Sequence, residues 1–322
     1  MAAAPVRPML AASGPLPAGP DWAYEFKWDG VRVIAEVARG PVRLYARSGA
    51  EVTAAYPELA PLADVAADAV FDGEMVVFDA SGRPSFDLLA ERMHVRQPAR
   101  AARLAATAPV TFLIFDLLRL DGLDLTSLPY AERRSALEAL GLDAERWVVP
   151  PTFSDGEATL AASEQNGLEG VVAKRLSSRY HSGARAADWV KVKRVRSTEC
   201  VVGGWRPGER PLGALLVGTP QPDGTLAYQG RVGGGIPDRM ITRLLELLRP
   251  LTRDTSPFAE PLPREDARSA VWAEPEIVVE VEYGNVTPAG RLRFPRFARL
   301  RPDLTVRDVA AEAAGGGPGG QG

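Results

Sequence analysis

The sequence predicts an α+β fold in two parts: a larger domain of antiparallel sheets with helices over 1–196, a small β-barrel over 197–306, then a flexible Gly-rich tail, 307–322. Three observations lead there. The 322 residues suffice for about two domains of ordinary size. In the first part, strand-like and helix-like runs mix without a regular βαβ rhythm, and no G-x-G-x-x-G occurs there, which argues against a doubly wound dinucleotide fold. After Arg196 the texture changes to short strands punctuated by turn residues.

Taken in order, Val31–Val37, Val42–Ala46, Val70–Phe78, Val110–Leu117, Gly170–Ala173 and Trp189–Val192 are short, rich in Val, Ile and Phe, and bounded by Gly, Pro or Asp, as strands are. Ala54–Ala67, Ser85–Arg103, Pro129–Leu140 and Ala158–Gln165 carry apolar residues at helical spacing. In the second part Cys200–Trp205, Ala214–Thr219, Leu226–Val232 and Ile277–Tyr283 read as strands, Asp238–Leu248 as a helix and Pro250–Pro263 as a loop. Five or so strands with one helix suit an OB-fold. Prolines and glycines break Met1–Pro20 too often for the core of a signal peptide, so this segment reads as a lead-in to the first domain. No apolar run reaches the roughly 18 residues of a membrane helix.

With 46% hydrophobic and 25% charged residues the composition is that of a soluble globular protein. A net charge of −3 means that a polyanion partner must be met by a local patch. One cysteine, Cys200, excludes an intramolecular disulfide and a paired-cysteine zinc site, and fits a reducing cytoplasm. Two histidines, His94 and His181, leave the chemistry to carboxylates, lysine, arginine and backbone. Among 38 basic residues only four are lysines: Lys27, Lys174, Lys191 and Lys193. Arginine keeps its proton at any accessible pH and cannot be a nucleophile, whereas lysine can.

Those lysines fall in three segments. Glu25-Phe26-Lys27-Trp28-Asp29-Gly30-Val31-Arg32 places a lysine on a turn ahead of a strand; Leu168-Glu169-Gly170-Val171-Val172-Ala173-Lys174-Arg175 is a strand led by a carboxylate; and in Asp188-Trp189-Val190-Lys191-Val192-Lys193 strand alternation puts Lys191 and Lys193 on one face. Two basic stretches stand out against the acidic whole. Lys174–Arg210 has ten Lys or Arg against three Asp or Glu, and Arg291–Arg307 has six arginines against one aspartate, as phosphate contact demands. Plain readings exist beside these: Phe115, flanked by Phe112, Ile114 and Leu117, suits a core, and Asp72, in an Asp-Gly pair, suits a turn.

The order of segments resembles the ATP-dependent DNA ligases of the covalent nucleotidyltransferase superfamily, especially compact bacterial ligases and the ligase module of bacterial end-joining proteins. The resemblance runs from Pro8-Met9-Leu10-Ala11 to about Asp303. It rests on Lys27-Trp28-Asp29-Gly30-Val31-Arg32, Arg47-Ser48-Gly49, Phe71-Asp72-Gly73-Glu74, Phe115-Asp116, Glu169-Gly170-Val171-Val172-Ala173-Lys174 and Trp189-Val190-Lys191-Val192-Lys193. It implies a nucleotidyltransferase domain of ATP-grasp-like antiparallel sheets followed by an OB-fold domain. By the same resemblance Lys27 attacks the α-phosphate of ATP and holds AMP, Lys191 and Lys193 hold that phosphate, and Asp29 and Lys174 belong to the motifs around them. Glu25 and the Phe26 backbone face the adenine edge, Phe115 stacks on adenine, and Glu74 and Glu169 associate with ribose or a metal, Mg2+ or Mn2+. Arg32 and Arg47 grip the nick phosphate and ribose region.

Arg291 to Asp303 resembles the family's last motif, with Arg293, Arg299 and Arg301 as DNA or pyrophosphate contacts; many relatives have lysine where Leu304 stands here. The resemblance thus implies a monomeric DNA ligase, with no membrane association, acting on nicked duplex DNA beside end-joining or repair proteins. NAD-dependent relatives, with their cysteine zinc module, fit a chain with one cysteine poorly. An RNA ligase or a capping-type guanylyltransferase shares the lysine chemistry, and a non-catalytic OB-fold nucleic-acid-binding protein is the rival from another class.

Overall fold

The computed structural model describes residues 6–38, 40–193 and 196–315 and divides into two compact units, Met1–Arg194 and Val195–Gly322. The first unit holds two sheets. One runs β1 (Leu10–Ser13), β11 (Arg185–Lys193), β10 (Gly170–Arg175), β2 (Trp22–Lys27), antiparallel except for β1 beside β11. The other runs β4 (Arg43–Ala46), β3 (Val31–Ala38), β5 (Asp68–Val76), β6 (Thr111–Leu120), β9 (Trp147–Val148), β8 (Asp143–Ala144), with β7 (Leu123–Asp124) on β6.

Alternation along β3 builds two cores. Val33, Ala35 and Val37 enter a cluster with Leu59, Leu62, Leu89 and Leu137, while Ile34 points the other way into a cluster with Val70, Phe115, Leu118 and Trp189. Trp189 lies on β11, so the second cluster joins the two sheets. Helices α1 (Phe86–Ala90), α2 (Pro98–Thr107), α3 (Tyr130–Ala139) and α4 (Gly156–Gln165) complete the unit.

Several sequence expectations change here. Ala54–Ala67 is two 3-10 runs, Thr53–Ala55 and Pro57–Asp64, because Pro57 and Pro61 remove the donors that an α-helix needs. Ser85–Arg103 breaks between α1 and α2, where His94 takes a positive φ of 60° and Pro98 restarts the helix. Lys27 ends a strand rather than sitting on the turn: Trp22–Lys27 pairs along its whole length with β10, and the turn is formed by the residues that follow. Gly30 suits that turn because a side chain there would meet the Met75 carbonyl at 2.2 Å.

In the second unit β12 (Ser197–Arg206), β13 (Ala214–Pro220) and β14 (Leu226–Val232) form a meander, followed by α5 (Asp238–Leu248). α5 buries Ile241, Leu244, Leu245 and Leu248, the i, i+3, i+4, i+7 stripe of a surface helix. The sheet continues through β15 (Thr252–Arg253) and β16 (Val271–Ala273), while β17 (Val278–Glu282) pairs with β12 and with β20 (Arg296–Leu300). These strands form an open sheet, in keeping with the partly open barrel of an OB-fold. A small α6 (Arg264–Ala267) precedes β16, and β18 (Asn285–Val286) and β19 (Leu292–Arg293) make a separate hairpin. The expected flexible tail is in part a helix, α7 (Val306–Gly315), seated by buried Leu304 and Val309 in a cluster with Val201, Leu216 and Val278. Its last part, 316–322, lies outside the described residues.

Candidate active site

Strand register gathers the four lysines. Lys27, Gly170 and Lys193 stand directly opposite one another across β2, β10 and β11; the next row is Glu25, Val172 and Lys191, and the next Ala23, Lys174 and Trp189. Opposed residues in antiparallel pairs share a face, and so do residues two apart. All four lysines therefore lie on one face of the sheet, while Trp22, Tyr24 and Phe26 alternate to the other. Gly170 separates the two lysines of the first row at φ 148°, where an added Cβ would meet the Val192 carbonyl at 2.0 Å.

Glu169, at the head of β10, reaches both lysines of that row. Lys27 Nζ donates to Oε2 at 2.5 Å, and Lys193 Nζ lies 2.8 Å from Oε1. All three side chains are partly buried, which strengthens charge interactions relative to bulk water. A face with Lys27, Lys191 and Lys193 around this carboxylate is cationic and suits a polyphosphate. It also places two amines, Lys27 and Lys193, at strand ends.

The third row is buried. Lys174 is 1% exposed, and its Nζ lies 2.7 Å from Glu25 Oε1, which also accepts the Tyr130 hydroxyl. Three rings enclose that ammonium, with centroids at 4.2 Å (Phe115), 4.4 Å (Trp189) and 4.9 Å (Tyr130). Burial pushes the Lys174 ammonium below its ordinary value, with Glu25 and Asp116 opposing, and burial together with Glu25 holds the Tyr130 hydroxyl well above its own.

Phe115 occupies a bulge of β6, between Asp116 opposite Asp72 and Ile114 opposite Gly73, and is 8% exposed. Arg32 Cζ lies 4.5 Å from its ring centroid. Arg32 is held by Asp72 through two hydrogen bonds of 2.5 and 2.6 Å, and Asp72 also accepts the Tyr180 hydroxyl at 2.6 Å. Burial alone would lower the Arg32 guanidinium, but the Asp72 carboxylate outweighs it and holds the group above its ordinary value. Asp72 is thus a fully buried strand residue and not a turn closer. Glu74 stands opposite Arg32, Asp29 lies in the turn after Lys27, and Arg47 follows β4, half-buried. Phe26 packs on Phe153 and Trp28, with centroids at 5.2 and 6.0 Å.

The second unit's candidates behave differently. Arg299 bonds Glu280 at 2.6 and 2.7 Å, and Arg301 bonds Asp303 at 2.7 and 2.8 Å and Glu199 at 3.0 Å. Arg293 is exposed on β19, beside Phe294, which is 82% exposed at a positive φ of 55°. Tyr130, Tyr180 and Arg133, the fully buried partner of Asp116, escaped sequence reading. Their partners are distant in the chain, and no local spacing marks them.

Comparison with known proteins decides the family. A profile described as ATP dependent DNA ligase domain matches residues 8–193, and one described as ATP dependent DNA ligase C terminal region matches 208–304. The chain belongs to the ATP-dependent DNA ligases. Over 314 residues it is 44% identical to the multifunctional non-homologous end joining DNA repair protein LigD of Mycobacterium tuberculosis, covering 95% of this chain and 40% of that protein. A probable DNA ligase of Streptomyces griseus is 36% identical over 95% of this chain and 62% of its own length. This ligase-family chain therefore spans 40% of the first of these relatives and 62% of the second. A solved mycobacterial DNA ligase D, complexed with ATP and MES, is 44% identical and superposes with a TM-score of 0.67, covering 94% of this chain and 97% of that one.

Proposed function

We propose that this chain seals 5′-phosphate, 3′-hydroxyl nicks in duplex DNA, using ATP and a covalent adenylate on Lys27. The observation that carries this reading is the lysine face, with Lys27 and Lys193 in one register row sharing Glu169. The Lys27 amine attacks the α-phosphate; an N–P bond forms as the bond to the β-phosphate bridging oxygen breaks, and pyrophosphate leaves. Lys191 and Lys193 hold the negative charge that builds on that phosphate, and Asp29 shapes the turn behind the nucleophile. The 5′-phosphate of the nick then takes AMP, and the 3′-hydroxyl displaces it.

Glu25 and the Phe26 backbone face the adenine edge, Phe115 stacks on the base once Arg32 yields its face, and Arg32 and Arg47 receive the ribose and nick phosphate. Arg293, Arg299 and Arg301 serve pyrophosphate or DNA. Among the described residues no three His, Cys, Asp or Glu group together as a metal cage. Two carboxylates, Glu169 and Glu74, fit a hard cation such as Mg2+ or Mn2+ that draws its other ligands from phosphate. Such an ion, when bound, adds charge neutralisation at the phosphates. A monomer working in the reducing cytoplasm completes the reading. No helix among the described residues is long and apolar enough to cross a membrane.

The test is to incubate the protein with Mg2+ and ATP labelled at the α-phosphate. Labelled protein should form and lose its label to pyrophosphate or to nicked DNA. Absence of the adduct, or its persistence in Lys27→Ala, overturns the mechanism.

A further inference from the structure

Lys174 is the lysine that phosphate chemistry does not use. It stands four residues along β10 from Gly170, about 13 Å from the row that carries Lys27 and Lys193. A lysine side chain spans about half of that. Its ammonium is enclosed by Phe115, Trp189 and Tyr130 and bonded to Glu25, so it cannot meet a phosphate at Lys27 without leaving four partners.

We infer that Lys174 is a positioning residue for base choice, fixing the Glu25 carboxylate so that the site takes a purine with an exocyclic amine and rejects one with a carbonyl there. Glu25 lies one row, about 6.7 Å, from Lys27 on the same face, which suits a base reached across a ribose from the α-phosphate. Lys174 and Tyr130 both donate to Oε1. Two donors on one oxygen fix the side chain's orientation. Its other oxygen then accepts an amine N–H and repels a carbonyl oxygen. Removing Lys174 takes one of the two donors from Oε1 and frees the carboxylate to rotate out of that alignment. The inference rests on the reading that Lys27 takes up AMP with the base toward Glu25.

The experiment measures adenylation of the whole chain with ATP, with ITP, which has a carbonyl in place of the amine, and with purine riboside triphosphate, which has hydrogen. Wild type should prefer ATP to ITP. Lys174→Met and Tyr130→Phe should each lower that ratio by about tenfold or more, since a site built to pair one polar group discriminates through that pair. Use of purine riboside triphosphate and the pyrophosphate-driven reversal should change little. Tyr130→Phe removes only one hydroxyl, so the inference stays testable if Lys174→Met does not fold. An equal loss with all three nucleotides and slowed reversal make Lys174 a phosphate contact and overturn the inference. So does a wild type that forms the adduct equally from ATP and ITP. A wild type that forms no adduct from any nucleotide overturns the adenylation reading itself.

Discussion

On the lysine face, among the described residues, Lys27 and Lys193 share one carboxylate, Glu169, with Lys191 one row away; in the second unit Arg299 and Arg301 meet three, Glu199, Glu280 and Asp303. By formal charge, three lysines with Glu169 carry +2, whereas two arginines with three carboxylates carry −1. The first therefore attracts a phosphate, whereas a phosphate reaches the second only in competition with Glu199, Glu280 and Asp303. Sequence spacing alone gives both clusters the same label, basic motif. The carboxylates set among the cations separate them.

The sharpest break in this comparison is Lys27→Arg. The charge and the Glu169 pairing survive while the amine proposed as nucleophile is lost, so adduct formation should fall by at least about 10⁴-fold in the labelling assay. Retained adduct formation would mean that the lysine face is only a charge device. Next comes Arg301→Met, which leaves Glu199, Glu280 and Asp303 facing one another in the second unit. Breaking a buried pair on one side costs about 3–5 kcal/mol, to be read as a lower midpoint of urea unfolding. A loss within 0.5 kcal/mol, about the scatter of surface substitutions, would show the network to be solvated.

Glu169→Gln tests the other side. It keeps the shape and removes the charge that orients Lys27 and Lys193, so adenylation should drop on the order of 100-fold with little change in stability. The smallest effect belongs to Phe294→Ala. An 82% exposed ring contributes about 0.5 kcal/mol or less to folding. Its loss should leave adenylation intact while weakening binding to nicked duplex a few-fold in a mobility-shift titration, as stacking surfaces do.

The path from sequence to site was open in one dimension and closed in the other. Strand cores such as Val31–Ala38 and Leu226–Val232 were legible because β-branched runs between Gly and Pro carry their own signal. The strand Trp22–Lys27 went unread, although Trp22, Tyr24 and Phe26 alternate with Ala23, Glu25 and Lys27 at strand period, because the Lys27-Trp28-Asp29-Gly30 segment drew the reading toward a turn. Lys191 and Lys193 were legible as a pair through alternation, and so were the motif segments by their order. The shared row of Lys27 and Lys193, the bond from Lys174 to Glu25, and the hold of Asp72 on Arg32 depend on pairings 23 to 149 residues apart, for which one chain offers no local clue. The helix over 306–315 hid behind a Gly-rich composition that begins only at its end.

The placement of every lysine on one sheet face has a practical corollary for chemical footprinting. Apart from the chain's α-amino group, an amine-reactive reagent has four targets, and Lys174 is 1% exposed. General lysine acylation thus acts on this protein as a site-directed reagent, and the extent of modification at Lys27, Lys191 and Lys193 reads occupancy of that sheet face without any engineered probe.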